Sequence, residues 1–194
     1  MSLDEIKAAR PAVEKMATRT PLFNAQVLSS RLGSRVVLKA ENLQRTGSFK
    51  IRGVASKLSL LGRDDARAGI VVASAGNHAQ ACAFAASSAG VPCEVFMPEQ
   101  ASVSKAEATS DYGAVVHLGG ASIDECLSYA RAAAEETGKV LVHPFEDEAI
   151  IAGQGTLGME LAEDVEDLGT VVVPLGGGGL TAGVALAVTS MRPG

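Results

Sequence analysis

The chain has 194 residues, enough for one large domain or two small ones. Its formal net charge is −5 and no basic run interrupts the sequence, so a nucleic-acid partner is not expected. Aromatic residues make up 4% of the chain and Trp is absent, so the core must be built from aliphatic side chains. The N-terminal segment is charged and has no apolar stretch of the kind that directs secretion, which favours a cytoplasmic location.

Cysteine usage agrees with that location. The three cysteines, Cys82, Cys93 and Cys126, show no C-x-x-C spacing and lie in apolar surroundings. We therefore expect buried free thiols in a reducing compartment.

Short β-branched runs alternate along the chain with Ala-rich helical stretches. The predicted strands are 36–38, 70–72, 93–97, 114–116, 140–142 and 171–173. The predicted helices are 49–61, 78–89, 103–112, 123–137 and 155–165, and Gly90, Gly113 and Gly138 follow three of them, where a C-terminal glycine is expected. Strands that are apolar on both faces and joined by helices indicate an α/β protein with a parallel or mostly parallel sheet flanked by helices.

The segment 170–191 carries no charge and is long enough to cross a bilayer. Pro174 and four consecutive glycines interrupt it, however, and would break a helix in lipid. A buried strand, a loop and a buried helix fit the segment better, and we expect no membrane span.

The segment Thr46-Gly47-Ser48-Phe49-Lys50 places a lysine directly after a small, flexible loop and at the start of a predicted helix. Ser48 can cap that helix, and the positive end of the helix should ease loss of the Lys50 proton and leave a nucleophilic amine. The alternative is an ordinary solvated lysine in a first helical turn, and position alone favours this alternative.

Ser74-Ala75-Gly76-Asn77-His78 follows the strand predicted over 70–72. Small residues at the carboxyl end of a parallel strand, where a helix opens, form an anion pocket of backbone N–H groups. The Asn77 amide could donate to a ring oxygen or a carboxylate. A simple helix cap explains the segment about equally well, and we assign His78 no catalytic part.

The loop Gly176-Gly177-Gly178-Gly179 lies between a predicted strand and an uncharged helix and exposes backbone N–H groups suited to a phosphate. It also satisfies a weak dinucleotide pattern, but the acidic residue expected about twenty positions later is missing from the sequence. No G-K-[ST] occurs, which excludes a triphosphate-binding loop of that type. An amine and a phosphate cradle together suit pyridoxal phosphate, an aldehyde cofactor with a phosphate tail.

Other chemistries find little support. The three histidines lack paired spacing with each other or with cysteine, so no metal site is expected. No G-x-S-x-G segment supports a serine hydrolase.

With these residues in place, the sequence resembles the serine/threonine dehydratase family of pyridoxal-phosphate enzymes, known as fold type II. Six segments carry the resemblance in order along the chain: 20–22 (TPL), 39–44 (KAENLQ), 46–53 (TGSFKIRG), 74–80 (SAGNHAQ), 150–155 (IIAGQG) and 176–180 (GGGGL).

The resemblance implies roles for individual residues. Lys50 would be the Schiff-base lysine, Phe49 would lie against the cofactor ring, and Asn77 would bond the ring 3-hydroxyl. The phosphate would be held by Gly176, Gly177, Gly178, Gly179 and Leu180. The substrate carboxylate would be gripped by backbone and side chains of Ser74, Ala75, Gly76, Asn77 and His78.

Two positions separate branches of the family. Cysteine and threonine synthases usually carry Asp after the lysine, whereas this chain has Ile51, which favours the dehydratases. Serine racemases carry a serine at the place of Ala75, so elimination is expected here rather than racemisation. The expected reaction is dehydration and deamination of L-threonine or L-serine, in amino-acid metabolism such as isoleucine biosynthesis. A serine racemase relative, a hydroxyaspartate ammonia-lyase relative and a non-catalytic fragment remain open alternatives.

The resemblance also implies two domains, of which the larger is incomplete. Residues 1–52 would begin the large domain, residues 53–142 would form the small α/β domain, and residues 143–194 would return to the large one. Family members continue for well over a hundred further residues and are commonly dimers or tetramers, so a homodimer or homotetramer is expected of the full-length protein.

Overall fold

A computed structural model describes residues 1–193. In chain order the described elements are α1 (Leu3–Met16), β1 (Leu22–Asn24), α2 (Gln26–Leu32), β2 (Val37–Lys39), a 3-10 turn (Glu41–Leu43), α3 (Lys50–Ser59), α4 (Arg63–Ala68), β3 (Ile70–Ala73), α5 (Asn77–Ala89), β4 (Cys93–Met97), α6 (Val103–Asp111), β5 (Val115–Leu118), α7 (Ile123–Thr137), β6 (Val140–Leu141), α8 (Glu148–Asp164) and α9 (Gly179–Met191).

The main sheet has four parallel strands in the order β5-β4-β3-β6. Strand β3 is buried along its whole length, and it pairs Ile70 with Cys93 on one side and Val140 on the other. Helices α3 and α5 share a core cluster with β3 and β4, while Cys126 and Ala130 of α7 pack on Val71 and Ala73. The α/β class with a parallel sheet flanked by helices is therefore confirmed.

The four strands of this sheet fall within the residues predicted to form a small domain, 53–142. Strands β1 and β2 form a separate antiparallel pair. The predicted division of the chain at residues 52 and 142 stays a prediction.

Helix α8 packs against both α3 and α9. A Cβ atom at Gly153 would overlap the backbone oxygen of Arg52 in α3. One at Gly183 of α9 would overlap the backbone oxygen of Ile151. Because glycine allows both close approaches, α3 and α9 pack directly on α8 and bring their N-terminal ends near each other.

The prediction of a buried strand over 171–173 was wrong. These residues form neither a strand nor a helix, and Val172 is 90% exposed. A strand needs hydrogen bonds from a neighbour, and no strand within residues 1–193 pairs with this segment. The predicted helix 155–165 was too short, since α8 begins at Glu148, where Asp147 caps the helix by accepting from the N–H groups of Ala149 and Ile150.

The three cysteines are buried free thiols, as expected. Among the helices of residues 1–193, none combines the length and apolar character that a bilayer crossing requires.

Candidate active site

Lys50 is the first residue of α3, and its side chain is half-buried. Its Nζ atom donates a hydrogen bond of 2.8 Å to the backbone oxygen of Pro144. Burial lowers the pKa of the Lys50 ammonium below its ordinary value of 10.5. The residue is thus a partly desolvated amine with a fixed position, and the alternative of a solvated surface lysine was wrong.

The prediction of an amine with a lowered pKa was correct in direction but not in cause. The N-terminal cap of α3 is Phe49, and the Ser48 hydroxyl makes no capping hydrogen bond. Ser48 is instead buried, with no partner for its Oγ atom in the part of the chain that the structure describes. Desolvation by the surrounding residues therefore replaces the predicted capping effect as the reason for the shift.

Lys50 and Phe49 open onto a cavity of about 280 Å³. The remaining lining residues are Pro144, Phe145, Gln154, Pro174, Leu175, Gly176, Gly177, Gly178, Gly179, Leu180 and Thr181. The structure thus brings together two segments that are more than a hundred positions apart in sequence, as the prediction required. The cavity lies near the lower end of the range of about 300–1,000 Å³ found for small-ligand pockets.

The glycine loop ends in α9, which runs away from the cavity. Gly178 caps the helix in the left-handed conformation, with φ of 88°, and the first hydrogen bond of the helix runs from Ala182 N–H to the Gly178 oxygen. The N–H groups of Gly179, Leu180 and Thr181 therefore have no acceptor within residues 1–193. A row of free N–H groups at the positive end of a helix is suited to a phosphate.

Phe145 forms the wall behind this loop. A Cβ atom at Gly177 would overlap the Phe145 ring, so any other residue at this position would force the ring or the loop to shift. Pro144, the neighbour of Phe145, supplies the acceptor for Lys50. The segment before α8 therefore touches both the amine and the glycine loop, although no sequence motif pointed to it.

Two buried polar side chains in the cavity were also missed. Gln154 is 1% exposed, and within residues 1–193 neither its Oε1 atom nor the buried Thr181 Oγ1 atom has a hydrogen-bond partner. A buried polar atom without a partner is costly, so both atoms are available to bond a ligand in the cavity. The only sequence signal for Gln154 was its place in the IIAGQG segment.

The loop Ser74–His78 lies at the carboxyl end of β3 and opens α5, as predicted, but it does not line the cavity. Asn77 is exposed, and its N–H group and those of His78 and Ala79 have no backbone acceptor among the described residues. These three N–H groups are therefore available as donors for the predicted anion pocket. The ring of His78 is 3% exposed and its Nε2 atom donates to the Val142 oxygen at 3.1 Å, so its side chain cannot grip a carboxylate as predicted.

Beneath Lys50, a buried ionic network fixes α3. The guanidinium of Arg52, 1% exposed, bonds both carboxylate oxygens of Glu41 at 2.9 and 2.8 Å and both of Glu160 at 2.7 and 3.0 Å. Burial raises the pKa of Glu41, but the hydrogen bonds and charge of Arg52, together with Thr20 and Lys39, outweigh burial and lower this pKa overall. Lys39 adds a second cation to Glu160 at 2.6 Å. The sequence signals for this network were the charged positions of the KAENLQ and FKIRG segments.

These features fit a phosphorylated aldehyde. Lys50 supplies the amine, Gly176 to Thr181 supply phosphate donors, and the unpartnered atoms of Gln154 and Thr181 supply polar contacts. Within residues 1–193 no group of three metal-binding side chains occurs. The fold and the cavity together fit the class of proteins that holds an aldehyde cofactor with a phosphate tail through a lysine amine.

Comparison with known proteins gives the same class. The profile described as "Pyridoxal-phosphate dependent enzyme" matches residues 13–194, and the chain belongs to this family. It is 47% identical over 193 residues to L-threonine ammonia-lyase of Thermotoga maritima, a match that covers 100% of the chain and 48% of that protein.

Solved structures agree. Threonine deaminase isoform 2 of Solanum lycopersicum matches with a TM-score of 0.94 and 38% identity, covering 98% of this chain and 52% of that one. Maize serine racemase matches with a TM-score of 0.95 and 36% identity, and the match covers 99% of this chain and 58% of the racemase chain. The chain spans about half the length of the relatives it matches.

Proposed function

We propose that the chain carries the cofactor site of an ammonia-lyase that dehydrates and deaminates L-threonine or L-serine. The observation that carries the proposal is the half-buried Lys50 amine, with its lowered pKa, facing the glycine loop across one cavity. The relatives named L-threonine ammonia-lyase make L-threonine the first substrate to test.

Pyridoxal phosphate, when bound, supplies an aldehyde carbon that bonds to amine nitrogen and a ring that draws electrons from the substrate α-carbon. Lys50 Nζ is the group that would hold that carbon, and the free Lys50 amine would accept the α-proton of the substrate. Its lowered pKa favours the neutral form that both steps require.

The other groups of the cavity orient the cofactor and the substrate, and they exclude water. The N–H groups of Gly179, Leu180 and Thr181 hold the phosphate, and Phe49 and Phe145 cover the cavity walls with apolar surface. The N–H groups at the start of α5 would take the substrate carboxylate, and Asn77 would bond the ring 3-hydroxyl. The substrate loses its α-proton and its β-hydroxyl, and water then replaces the nitrogen, which gives a 2-oxo acid and ammonia.

Ala75 favours elimination over racemisation. Inversion at the α-carbon requires a group that returns the proton from the opposite face, and the methyl side chain of Ala75 has no proton to return. An Ala75→Ser variant should gain α-proton exchange from that face, measured as conversion of L-serine to D-serine. We place the protein in amino-acid metabolism in the cytoplasm, with isoleucine biosynthesis as one setting, and expect the full-length protein to be a homodimer or homotetramer.

Turnover tests the proposal. The chain and the longest product of its native gene are incubated with pyridoxal phosphate and L-threonine or L-serine, and 2-oxo acid and ammonia are measured in equal amounts. A Lys50→Ala variant should lose activity by orders of magnitude, whereas Lys105→Ala, a lysine of α6 outside the cavity, should keep it. Near-normal activity of Lys50→Ala would refute the assignment.

A second candidate is a chain that binds the cofactor without turnover. The observation that favours it is the exposure of Val172 and Leu175, at 90% and 75%, on the segment that leads into the glycine loop. Large apolar side chains exposed together mark a surface that another part of a protein covers. Cofactor binding without 2-oxo acid formation by any form of the protein would favour this candidate.

A further inference from the structure

His143 stands at the start of the turn that leads into α8. Its Nδ1 atom accepts hydrogen bonds from the backbone N–H groups of Glu146 at 2.9 Å and Phe145 at 3.4 Å. The imidazole side chain is 13% exposed and packs edge-on against the Phe145 ring, with centroids 4.8 Å apart and planes at 82°. One ring nitrogen thus fixes the backbone of the two residues that follow Pro144.

This turn, residues 143–147, connects both halves of the candidate site. The Pro144 oxygen accepts the Lys50 hydrogen bond, and the Phe145 ring lies where a Cβ at Gly177 would be. At its other end, Asp147 caps α8 and pairs with Lys57 at 2.6 Å. A shift of the turn therefore moves the acceptor of the amine and the wall of the glycine loop together.

The hydrogen bonds dictate the state of the imidazole. Because both backbone groups donate, Nδ1 carries no proton, and in the neutral ring the proton is on Nε2. Nε2 lies 3.7 Å from the Glu146 carboxylate. A proton added at Nδ1 would face two N–H groups and remove the acceptor that both of them use.

Charged or titratable groups of four elements influence the ring. Glu146 and Asp147 of the turn favour the imidazolium, while Arg131 of α7 and Lys50 of α3 oppose it, and the buried His78 ring of α5 lies near enough to interact. Burial is the largest influence and lowers the pKa of His143 below its ordinary value of 6.5. The ring is therefore neutral, and the turn intact, at neutral pH.

We propose that His143 is a positioning residue whose neutral Nδ1 atom holds Pro144 and Phe145 against Lys50 and the glycine loop, and whose protonation releases them. The inference rests on the proposed function in taking Lys50 and the loop as the active site. The turn itself is a property of the chain without cofactor.

Hydrogen exchange of the Phe145 and Glu146 amides tests this in the whole chain, from about pH 8 down to about pH 5. In His143→Asn the carboxamide oxygen is separated from Cα by the same number of covalent bonds as Nδ1 is in histidine. The variant therefore keeps an acceptor, but one that does not titrate. His143→Ala removes the acceptor, and Glu146→Gln removes the nearest other titrating group.

We expect wild-type protection of these amides to fall about tenfold, after correction for intrinsic exchange, as pH drops through the His143 transition. His143→Asn should stay protected across the range, His143→Ala should be unprotected throughout, and Glu146→Gln should follow the wild type. Protection in His143→Asn that falls with pH as in the wild type would overturn the proposal, even if His143→Ala fails to fold. So would amides in a folded His143→Ala that are as well protected at neutral pH as those of the wild type.

A second readout links the turn to the amine. Borohydride trapping of pyridoxal phosphate on Lys50 should be slower at least severalfold in His143→Ala and near wild type in His143→Asn. Equal trapping in all three proteins would contradict the positioning role. A wild-type chain that traps no pyridoxal phosphate would overturn the proposed function instead, while the exchange measurement would still decide the part played by His143.

Discussion

The Phe145 ring fills the space that a Cβ atom at Gly177 would need, so the segment before α8 and the glycine loop before α9 are shaped to each other. Because of this contact, replacing Gly177, the second glycine of the loop, should lower the stability of the chain. It also makes the wall of the cavity part of the phosphate site, although the two segments are about thirty positions apart in sequence.

Gly177→Ala should destabilise the chain by about 1–3 kcal/mol even without cofactor, because the added methyl overlaps the Phe145 ring. The matched control is Gly176→Ala, whose Cβ would meet nothing within 4 Å, and which should change stability by less than about 0.5 kcal/mol. Urea denaturation of both variants measures the difference. Equal midpoints for the two variants would show that the ring does not constrain the loop.

Arg52→Ala should destabilise the chain by about 3–5 kcal/mol, because it leaves the Glu41 and Glu160 carboxylates buried without their main partner. Arg19→Ala removes a cation of 43% exposure that pairs with Glu163 and Asp164, and should cost less than about 1 kcal/mol. Chemical denaturation compares them. A similar loss from both changes would mean that the buried network contributes no more than a surface one.

Stability should fall as pH drops from about 6.5 toward 4 because of His78. Burial lowers the pKa of His78 to about 4, so in this window the unfolded chain takes up a proton that the folded chain refuses. His78→Gln keeps an Nε2 donor for the Val142 oxygen but does not titrate, so it should flatten that part of the profile. Thermal unfolding across the window provides the measurement, and a variant profile as steep as the wild type would assign the loss to other groups.

Thr181→Val should weaken pyridoxal phosphate binding by about ten- to a hundredfold if the unpartnered hydroxyl bonds the phosphate, since hydrogen bonds to charged groups contribute about 1.5–3 kcal/mol. Thr181→Ser retains the hydroxyl and should bind almost normally. Titration with pyridoxal, which lacks the phosphate, shows whether the hydroxyl contacts the phosphate or another part of the cofactor. The wild type and Thr181→Val should bind pyridoxal with equal affinity. An equal loss of affinity for pyridoxal and pyridoxal phosphate would mean that the hydroxyl does not contact the phosphate.

Local patterns predicted the central sheet well. The structure has β4 and α7 with the bounds that hydrophobic patterning assigned to Cys93–Met97 and Ile123–Thr137. Glycines mark the ends of α5 and α7, and both Gly90 and Gly138 adopt the left-handed conformation. Such features depend on residues close in sequence, which is why sequence alone suffices for them.

Features that depend on tertiary contacts could not be predicted in the same way. Residues 171–173 have strand-forming side chains but no neighbouring strand in the described chain. The prediction began this helix at Gly155, whereas α8 begins at Glu148. Gly153, in the part that was missed, disfavours a helix by propensity, but in the fold it permits close packing on Arg52. The hydrogen bond from Lys50 to Pro144 joins residues 94 positions apart, and no local pattern encodes it.

The most direct test of the central claim is the mass of the protein after incubation with pyridoxal phosphate, with and without borohydride, followed by peptide mapping. We expect one phosphopyridoxyl adduct, located on Lys50, and none in Lys50→Ala. An adduct spread over exposed lysines, or no adduct on Lys50 in any form of the protein, would contradict the assignment of this cavity as the cofactor site.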